Sequence, residues 1–149
     1  MTCPHAPEVP PESASVVSVL FVDDEPLLGQ TFTRAVTSER PAWDVVTAMG
    51  VEEARTVLRT RRFHAVVSDI TMPGANGLSL LSYVRERHPE TLRVVHSGVV
   101  LDYAEHEELL LADLVFAKPV MPSEIVRAID LLLMPPERPP SSRRIPPSR

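Results

Sequence analysis

Four charged residues lie at the ends of short apolar runs, and together they could carry out phosphoryl chemistry. They are Asp23, Asp24, Asp69 and Lys118. Carboxylates that lie close together repel one another unless a cation is among them, and Mg²⁺ prefers such hard oxygen ligands. A lysine beside the carboxylates can hold phosphoryl oxygens as a point charge. These residue types predict phosphoryl transfer to a carboxylate.

The runs that precede these residues are typical of buried strands. Aliphatic residues, many of them β-branched, fill residues 16–22, 44–48, 65–68, 93–96 and 114–117. Because the intervening segments are long enough for a helix, the pattern predicts five strands of a parallel sheet. In open sheets of this kind the ligand crevice lies beyond the carboxyl ends of the strands. We therefore expect the three acids and the lysine to converge there.

Five segments with helical periodicity alternate with the strands. The first begins near Pro26, and the next three cover 51–60, 77–87 and 102–112. The fifth runs from Pro122 or Ser123 to Leu133. Pro26 suits a first helical turn, where its missing amide is not needed. The first helix is expected to bury Leu27, Leu28, Phe32 and Val36. Strand and helix in alternation predict right-handed crossovers and a doubly wound α/β fold, with helices on both faces of the sheet.

Proline is concentrated at the two ends of the chain. Of the 16 prolines, four lie at positions 4, 7, 10 and 11, and six lie at positions 135, 136, 139, 140, 146 and 147. Proline at this density lacks amide donors and cannot build helix or sheet. We expect a disordered proline-rich tail over 1–14 and a disordered proline- and arginine-rich tail over 135–149, on either side of one domain over 15–134.

Length and charge exclude several classes of function. The 149 residues are a single-domain length, and 15 basic against 20 acidic residues give a net charge of -5, which does not attract nucleic acid. Cys3 is the only cysteine, so an intrachain disulfide and a cysteine metal cluster are excluded. No apolar run approaches the roughly 18–20 residues of a membrane span, and the first basic residue is Arg34, so the positive leader of a secretory signal is missing. We expect a cytoplasmic protein that has no membrane span and binds no nucleic acid.

Four segments, taken together, resemble the receiver domain of two-component response regulators. They are Val19–Pro26, Val67–Gly77, Val94–Gly98 and Phe116–Pro119. Each segment alone is weak evidence, but all four in this order and at these separations are specific. The resemblance implies a flavodoxin-like sheet with strand order 2-1-3-4-5. It also implies a stand-alone receiver that takes part in phosphorelay signal transduction.

The resemblance also implies how a metal would be held. Asp24 and Asp69 would ligate Mg²⁺ directly, together with the backbone carbonyl of Thr71. Asp23 would assist through a bound water. Mg²⁺ is the one cofactor that the resemblance implies.

The remaining implied roles concern the phosphoryl group. Asp69 would accept it as an aspartyl phosphate, and Lys118 and Ser97 would contact its oxygens. Pro119 resembles the family's cis proline, which directs the lysine inward. We expect mainly a signalling switch, with magnesium-dependent self-phosphorylation at most. Self-dephosphorylation should be slow, because Val99 beside the path of an attacking water cannot orient it.

One position departs from the family pattern. Receivers usually have an aromatic residue three places before the lysine, whereas this chain has Val115 there and Phe116 one position later. One step along a strand reverses the face, so Phe116 cannot replace the missing aromatic. A second reading therefore stays open, in which the receiver fold acts as a phosphorylation-independent adaptor or as a phosphate sink.

The resemblance implies two kinds of partner. A sensor histidine kinase or a phosphotransfer protein would donate the phosphoryl group. A target protein would bind the face made by the fourth helix, the fifth strand and the fifth helix.

Overall fold

The computed structural model describes residues 16–72, 75–98 and 107–134, which form an α/β fold. Its five-stranded sheet contains β1 (Ser18–Val22), β2 (Asp44–Ala48), β3 (Ala65–Asp69), β4 (Leu92–Ser97) and β5 (Leu114–Ala117). The α-helices of the described residues are α1 (Pro26–Glu39), α2 (Val51–Thr60), α3 (Gly77–Arg87) and α4 (Pro122–Leu133). A short antiparallel pair, Thr71–Met72 with Ala75–Asn76, lies between β3 and α3, and a 3-10 helix spans Glu107–Leu111.

The strand order in the sheet is β2-β1-β3-β4-β5, and every neighbouring pair is parallel. This confirms the order 2-1-3-4-5 that the resemblance implied. The order reverses between β1 and β3, where successive crossovers go to opposite sides of the sheet. Such a reversal opens a crevice at the carboxyl ends of the two strands.

Alternate residues of the central strands pack under different helices, so both faces of the sheet are covered. On one face, Val19 and Phe21 of β1 pack with α1 and α4 through Phe32 and Ile129. On the other face, Leu20 and Val22 pack with α2 and α3. A strand that is buried on both faces needs apolar residues at every position, which explains the nearly continuous apolar sequence of β1.

One predicted core residue of the first helix is not buried. Leu27 is 72% exposed, whereas Phe32 and Val36 are each 1% exposed and Leu28 packs against the same core. Leu28, Phe32 and Val36 are spaced by four residues and form one stripe along α1, while Leu27 lies one residue outside it. The prediction for Leu27 was wrong because apolar character alone does not place a residue on the stripe.

The segment 102–112 was predicted as a fourth α-helix, and the part of it that the structure describes is not an α-helix. Glu107–Leu111 is a 3-10 helix, and residues 102–106 lie outside the described residues. Arg93 on β4 donates from Nε to the carbonyl of Leu111, and its own N–H donates to Asp113 Oδ2 at 2.8 Å. The N–H of Asp113 donates in turn to the carbonyl of Arg93 at 2.7 Å. These bonds tie the end of the 3-10 helix to the sheet, where other helices use a glycine.

Three predictions fall on residues that are not described: the two tails, over 1–14 and 135–149, and the role of Val99. Among the helices that are described, none combines the length and the apolar character needed to cross a membrane.

Candidate functional site

The strand ends bring the predicted acids together at one edge of the sheet. Asp23 and Asp24 follow β1, and Asp69 is the last residue of the neighbouring β3. Each of the three offers a carboxylate oxygen, and these oxygens all lie within 4.8 Å of one another. Asp23 is 3% and Asp69 6% exposed, so two of the three negative charges are largely withdrawn from water.

Lys118, directly after β5, joins two of these carboxylates. Its Nζ donates to Asp69 Oδ2 at 2.9 Å and to Asp23 Oδ2 at 3.2 Å. The expected convergence of the acids and the lysine is therefore confirmed as geometry. A single ammonium group that contacts two carboxylates offsets part of their mutual repulsion.

Backbone amides hold the other oxygen of each of these carboxylates. Asp69 Oδ1 accepts a hydrogen bond from the N–H of Thr71 at 2.9 Å, and Asp23 Oδ1 accepts one from the N–H of Glu25 at 2.9 Å. Each acid therefore bonds the amide two residues further along, a local turn that aspartate commonly makes. The two carboxylates are oriented by the chain itself, before any ligand is present.

The charge of Lys118 is stabilised by the same contacts. Burial alone would lower the pKa of its ammonium group, but the hydrogen bonds and charges of Asp69 and Asp23 outweigh that effect and raise the pKa. Lys118 is thus positively charged throughout the neutral pH range.

The remaining predicted site residues lie around this cluster. Asp24 is half-buried, Thr71 is exposed at the start of the short antiparallel pair, and Ser97 is fully buried at the end of β4. The N–H of Lys118 donates to the carbonyl of Ser97 at 2.7 Å, which brings the ends of β4 and β5 together. The Lys118–Pro119 bond is cis, as the resemblance implies. The ligand and phosphoryl-binding roles of these residues stay predictions.

Gly77, the first residue of α3, lies against the backbone of the central acid. A Cβ atom placed on Gly77 would be 2.2 Å from the carbonyl oxygen of Asp69 and 2.7 Å from Cα of Ile70. Its N–H donates to the carbonyl of Ile70 at 3.2 Å. Only glycine lets the start of α3 approach Asp69 this closely. The sequence alone showed this glycine but not what it contacts.

His96 is a residue of the site that the sequence analysis did not single out. It is 3% exposed, and its Nε2 atom lies 3.7 Å from Asp23 Oδ2. The pKa of His96 is lowered to about 4, mainly by burial and also by the charge of Lys118, while the charge of Asp69 opposes both effects. The imidazole is therefore neutral at pH 7. A polar residue directly after the two valines of β4, and directly before Ser97, was the available signal.

Comparison with known proteins gives matches to response regulators over the part of the chain that contains the sheet and the acid cluster. The family model of the response regulator receiver domain matches residues 19–130. The photosynthetic apparatus regulatory protein RegA of Cereibacter sphaeroides is 30% identical over 134 residues, which cover 86% of this chain and 71% of RegA. The hydrogenase transcriptional regulatory protein HoxA of Cupriavidus necator is 34% identical over 93 residues, or 62% of this chain. That match spans only 18% of HoxA.

A solved structure shares the fold. The response regulator TrrA of Thermotoga maritima, crystallised in complex with Mg²⁺ and BeF, aligns with a TM-score of 0.71 at 24% identity. The alignment covers 79% of this chain and 100% of TrrA. At this identity the likeness concerns the fold alone.

Proposed function

Because the chain belongs to the response regulator receiver domain family, we propose that Asp69 accepts a phosphoryl group and that the aspartyl phosphate changes which partner the protein binds. The observation that carries this proposal is the Lys118 ammonium group between Asp69 and Asp23. It lies where the charge of an incoming phosphoryl group would have to be offset. The donor would be a phosphohistidine of a sensor kinase or of a phosphotransfer protein. A cytoplasmic location is part of the proposal.

The carboxylates fit a magnesium ion. Three acids whose oxygens lie within 4.8 Å of one another, with one lysine among them, form a hard-oxygen donor set that retains net negative charge. Asp24 and Asp69 would hold the ion with the carbonyl of Thr71, and Asp23 would hold it through a water. When bound, Mg²⁺ supplies positive charge to the oxygens of the transferred group.

The chain's own residues would position the reacting atoms. A carboxylate oxygen of Asp69 forms the new P–O bond as the P–N bond of the donor breaks, and the electron pair of that bond returns to the donor imidazole. The N–H of Thr71 keeps Asp69 oriented during the approach. Lys118 turns from the carboxylates to the phosphoryl oxygens, and Ser97 hydrogen-bonds one of them. A fixed nucleophile beside a fixed cation reduces the reorganisation that the transfer requires.

The output surface would be the face formed by the 3-10 helix Glu107–Leu111, β5 and α4. The exposure of Leu110, 72%, supports an apolar contact there. Phosphorylation would act by changing the affinity of this face for its target, since a modification shifts binding only as far as the two states differ in affinity. Among the matched relatives, HoxA is a transcriptional regulatory protein by name.

A second candidate function, the phosphorylation-independent adaptor or phosphate sink, is favoured by one observation. Val115 packs with Val95 and Leu109, whereas Phe116 packs on the opposite face of the sheet. Within β5, all of which the structure describes, no aromatic ring therefore stands on the Val115 face to couple Ser97 to the surface. The presence of all three acids and the lysine favours the first proposal, in which Asp69 accepts a phosphoryl group.

Mass spectrometry and NMR test the proposal directly. Three proteins are compared: the wild type, Asp69→Asn and a control variant, Asp44→Asn. Each is incubated with Mg²⁺ and either acetyl phosphate or beryllofluoride. Asp44 is an exposed acid at the other end of the sheet, paired with Arg61. We expect one phosphoryl group on the wild type and on the control and none on Asp69→Asn, with amide shifts that extend to 107–117. Equal labelling of Asp69→Asn contradicts the assignment, and labelling without distant shifts supports the phosphate sink.

A further inference from the structure

A buried polar atom beside the acid cluster has no hydrogen-bond partner among the described residues. It is Nε2 of His96, which faces Asp23 Oδ2 at 3.7 Å. That separation is longer than a hydrogen bond and too short for a water molecule directly between the two atoms. Buried nitrogen atoms are rarely left unpaired, so an exception next to a functional carboxylate calls for an explanation.

The ring of His96 is held in place by its neighbours. It stacks on Phe21 with ring centroids 5.1 Å apart, and Phe21 stacks on Phe32 of α1 at 4.6 Å. On β4, His96 is in register with Phe116 of β5, which packs into the same core. Packing therefore orients Nε2 towards Asp23, and the ring cannot turn freely to find another partner.

Asp23 depends on a partner that the proposed reaction removes. Its side chain is 1% exposed, and its Oδ2 atom accepts a hydrogen bond only from Lys118 among the described residues. In the proposed function, Lys118 turns to the oxygens of the phosphoryl group. Asp23 Oδ2 would then be a buried carboxylate oxygen without its donor, and bulk water could not replace it.

We propose that His96 is a positioning residue that replaces Lys118 as the hydrogen-bond donor to Asp23 Oδ2 when the phosphoryl group arrives. A closer approach of well under 1 Å turns the present 3.7 Å separation into a hydrogen bond. The neutral imidazole has a single N–H, and the facing carboxylate places it on Nε2. His96 thereby keeps Asp23 oriented towards the water of the metal site while Lys118 is engaged elsewhere. This inference rests on the proposed function.

The first test uses the wild-type protein and needs no substitution. Nitrogen-15 NMR of the His96 ring reports which nitrogen carries the proton and whether that proton is hydrogen-bonded. We expect the proton on Nε2 in both states, with a downfield shift of its resonance when Mg²⁺ and beryllofluoride are added together. A proton on Nδ1, or an unchanged Nε2 resonance in the beryllofluoride complex, overturns the inference.

The second test compares two substitutions with a matched control. His96→Phe keeps a stacked ring but removes the donor, His96→Gln keeps an N–H donor, and His88→Gln changes a histidine that lies just after α3, away from the cluster. We expect His96→Phe to weaken magnesium-dependent beryllofluoride binding, measured by calorimetry, by about 10-fold, the lower end of what supporting residues of metal sites contribute. His96→Gln should recover part of this loss, and His88→Gln should match the wild type.

The outcomes separate this inference from the proposed function. If the wild type fails to bind beryllofluoride, the proposed function is wrong. If the wild type binds and His96→Phe binds equally well, only the role of His96 is wrong. A merely structural role predicts equal losses for the Phe and Gln variants, and that result would also contradict the positioning role.

Discussion

At the scale of single residues, the two buried carboxylates of the site have a specific hydrogen-bond donor for each of their oxygens. Asp69 and Asp23 are each bonded by a backbone amide on one oxygen and by Lys118 on the other. Hydrogen bonds from a charged ammonium group are stronger than neutral ones, so Lys118 holds both carboxylates firmly in place. His96 differs from these charged residues, since it is buried in the same place but is neutral at pH 7.

The lowered pKa of His96 predicts how stability depends on pH in magnesium-free buffer. The folded protein holds this ring neutral down to about pH 4, whereas the unfolded chain protonates it near its ordinary pKa of 6.5. The unfolded state thus binds more protons between these values, and the free energy of unfolding falls as the pH is lowered through them. Between pH 7 and pH 5 the contribution of His96 should be about 2 kcal/mol.

Urea unfolding at the two pH values, on the wild type and on His96→Phe, measures this contribution. The groups that face the ring are Asp23, Asp69 and Lys118, and all three remain in both proteins. Any contribution of these three groups therefore largely cancels in the comparison. An equal loss of stability in the two proteins contradicts the prediction.

At the scale of elements, the start of α3 is packed against the residue that would accept the phosphoryl group. The Cβ of an alanine at position 77 would overlap the carbonyl oxygen of Asp69, which belongs to the backbone and cannot turn away. We expect Gly77→Ala to lower the free energy of unfolding by about 1–3 kcal/mol, as overpacking does, and to slow phosphorylation of Asp69 as well. Urea unfolding and labelling with acetyl phosphate measure the two effects.

Gly50 provides the control for this prediction. It precedes α2 and has an extended backbone with φ of -177°. A Cβ atom at this position would have no atom of the described residues within 4 Å, apart from its chain neighbours. Gly50→Ala should therefore leave both stability and labelling close to those of the wild type. If the two alanine variants behave alike, the close approach at Gly77 is not important.

The end of the 3-10 helix depends on Arg93. Its side chain is only 14% exposed, donates a hydrogen bond to the carbonyl of Leu111 and forms an ion pair with the carboxylate of Asp113. Arg93→Ala should cost about 1–3 kcal/mol, since it leaves that carbonyl without its charged donor. Hydrogen exchange should then become faster at residues 107–117 than elsewhere.

A matched substitution distinguishes the loss of the Arg93 hydrogen bond from the loss of an arginine charge in general. Arg93→Met keeps an apolar stem of similar length without the donor, whereas Arg85→Met removes an exposed arginine on the surface of α3. Protection of 107–117 should be lost in Arg93→Met and kept in Arg85→Met. Equal protection in both variants means that the arginine does not hold this segment.

At the scale of the whole molecule, the site joins strand ends that are far apart in sequence. Asp23, Asp69 and Lys118 come from three strands and meet only because β1 and β3 are adjacent and β5 is brought close through β4. A ligand that binds this cluster must therefore stabilise the whole sheet. We expect Mg²⁺ with beryllofluoride to raise the free energy of unfolding by about 2.7 kcal/mol at 100 times the dissociation constant.

Thermal unfolding with and without the two ligands measures this stabilisation. Asp69→Asn should lose most of it, because the central acid is then neutral and cannot carry the phosphoryl analogue. Asp44→Asn, at the other end of the sheet, should keep it. Stabilisation that is independent of Asp69 points to binding elsewhere on the molecule.

The sequence was sufficient for the elements and for most of the residues that make up the site. Buried parallel strands must be continuously apolar, so β1, β3 and β5 are visible as runs, and the charged residues at their ends are visible as interruptions. The resemblance of the four segments added the strand order. Leu27 and the segment 107–111 were misjudged because burial depends on which neighbours cover a residue, and helix type depends on long-range bonds such as those of Arg93.

What the sequence determined by itself was therefore the set of residue types and their order along the chain, because periodicity and polarity are local properties. The bonds of Lys118 to two acids, the contact of Gly77 with the backbone of Asp69 and the unpaired nitrogen of His96 were decided only by the tertiary structure of the described residues. Each depends on a distance of a few ångströms between residues that are not neighbours in the sequence, and no local pattern specifies such distances.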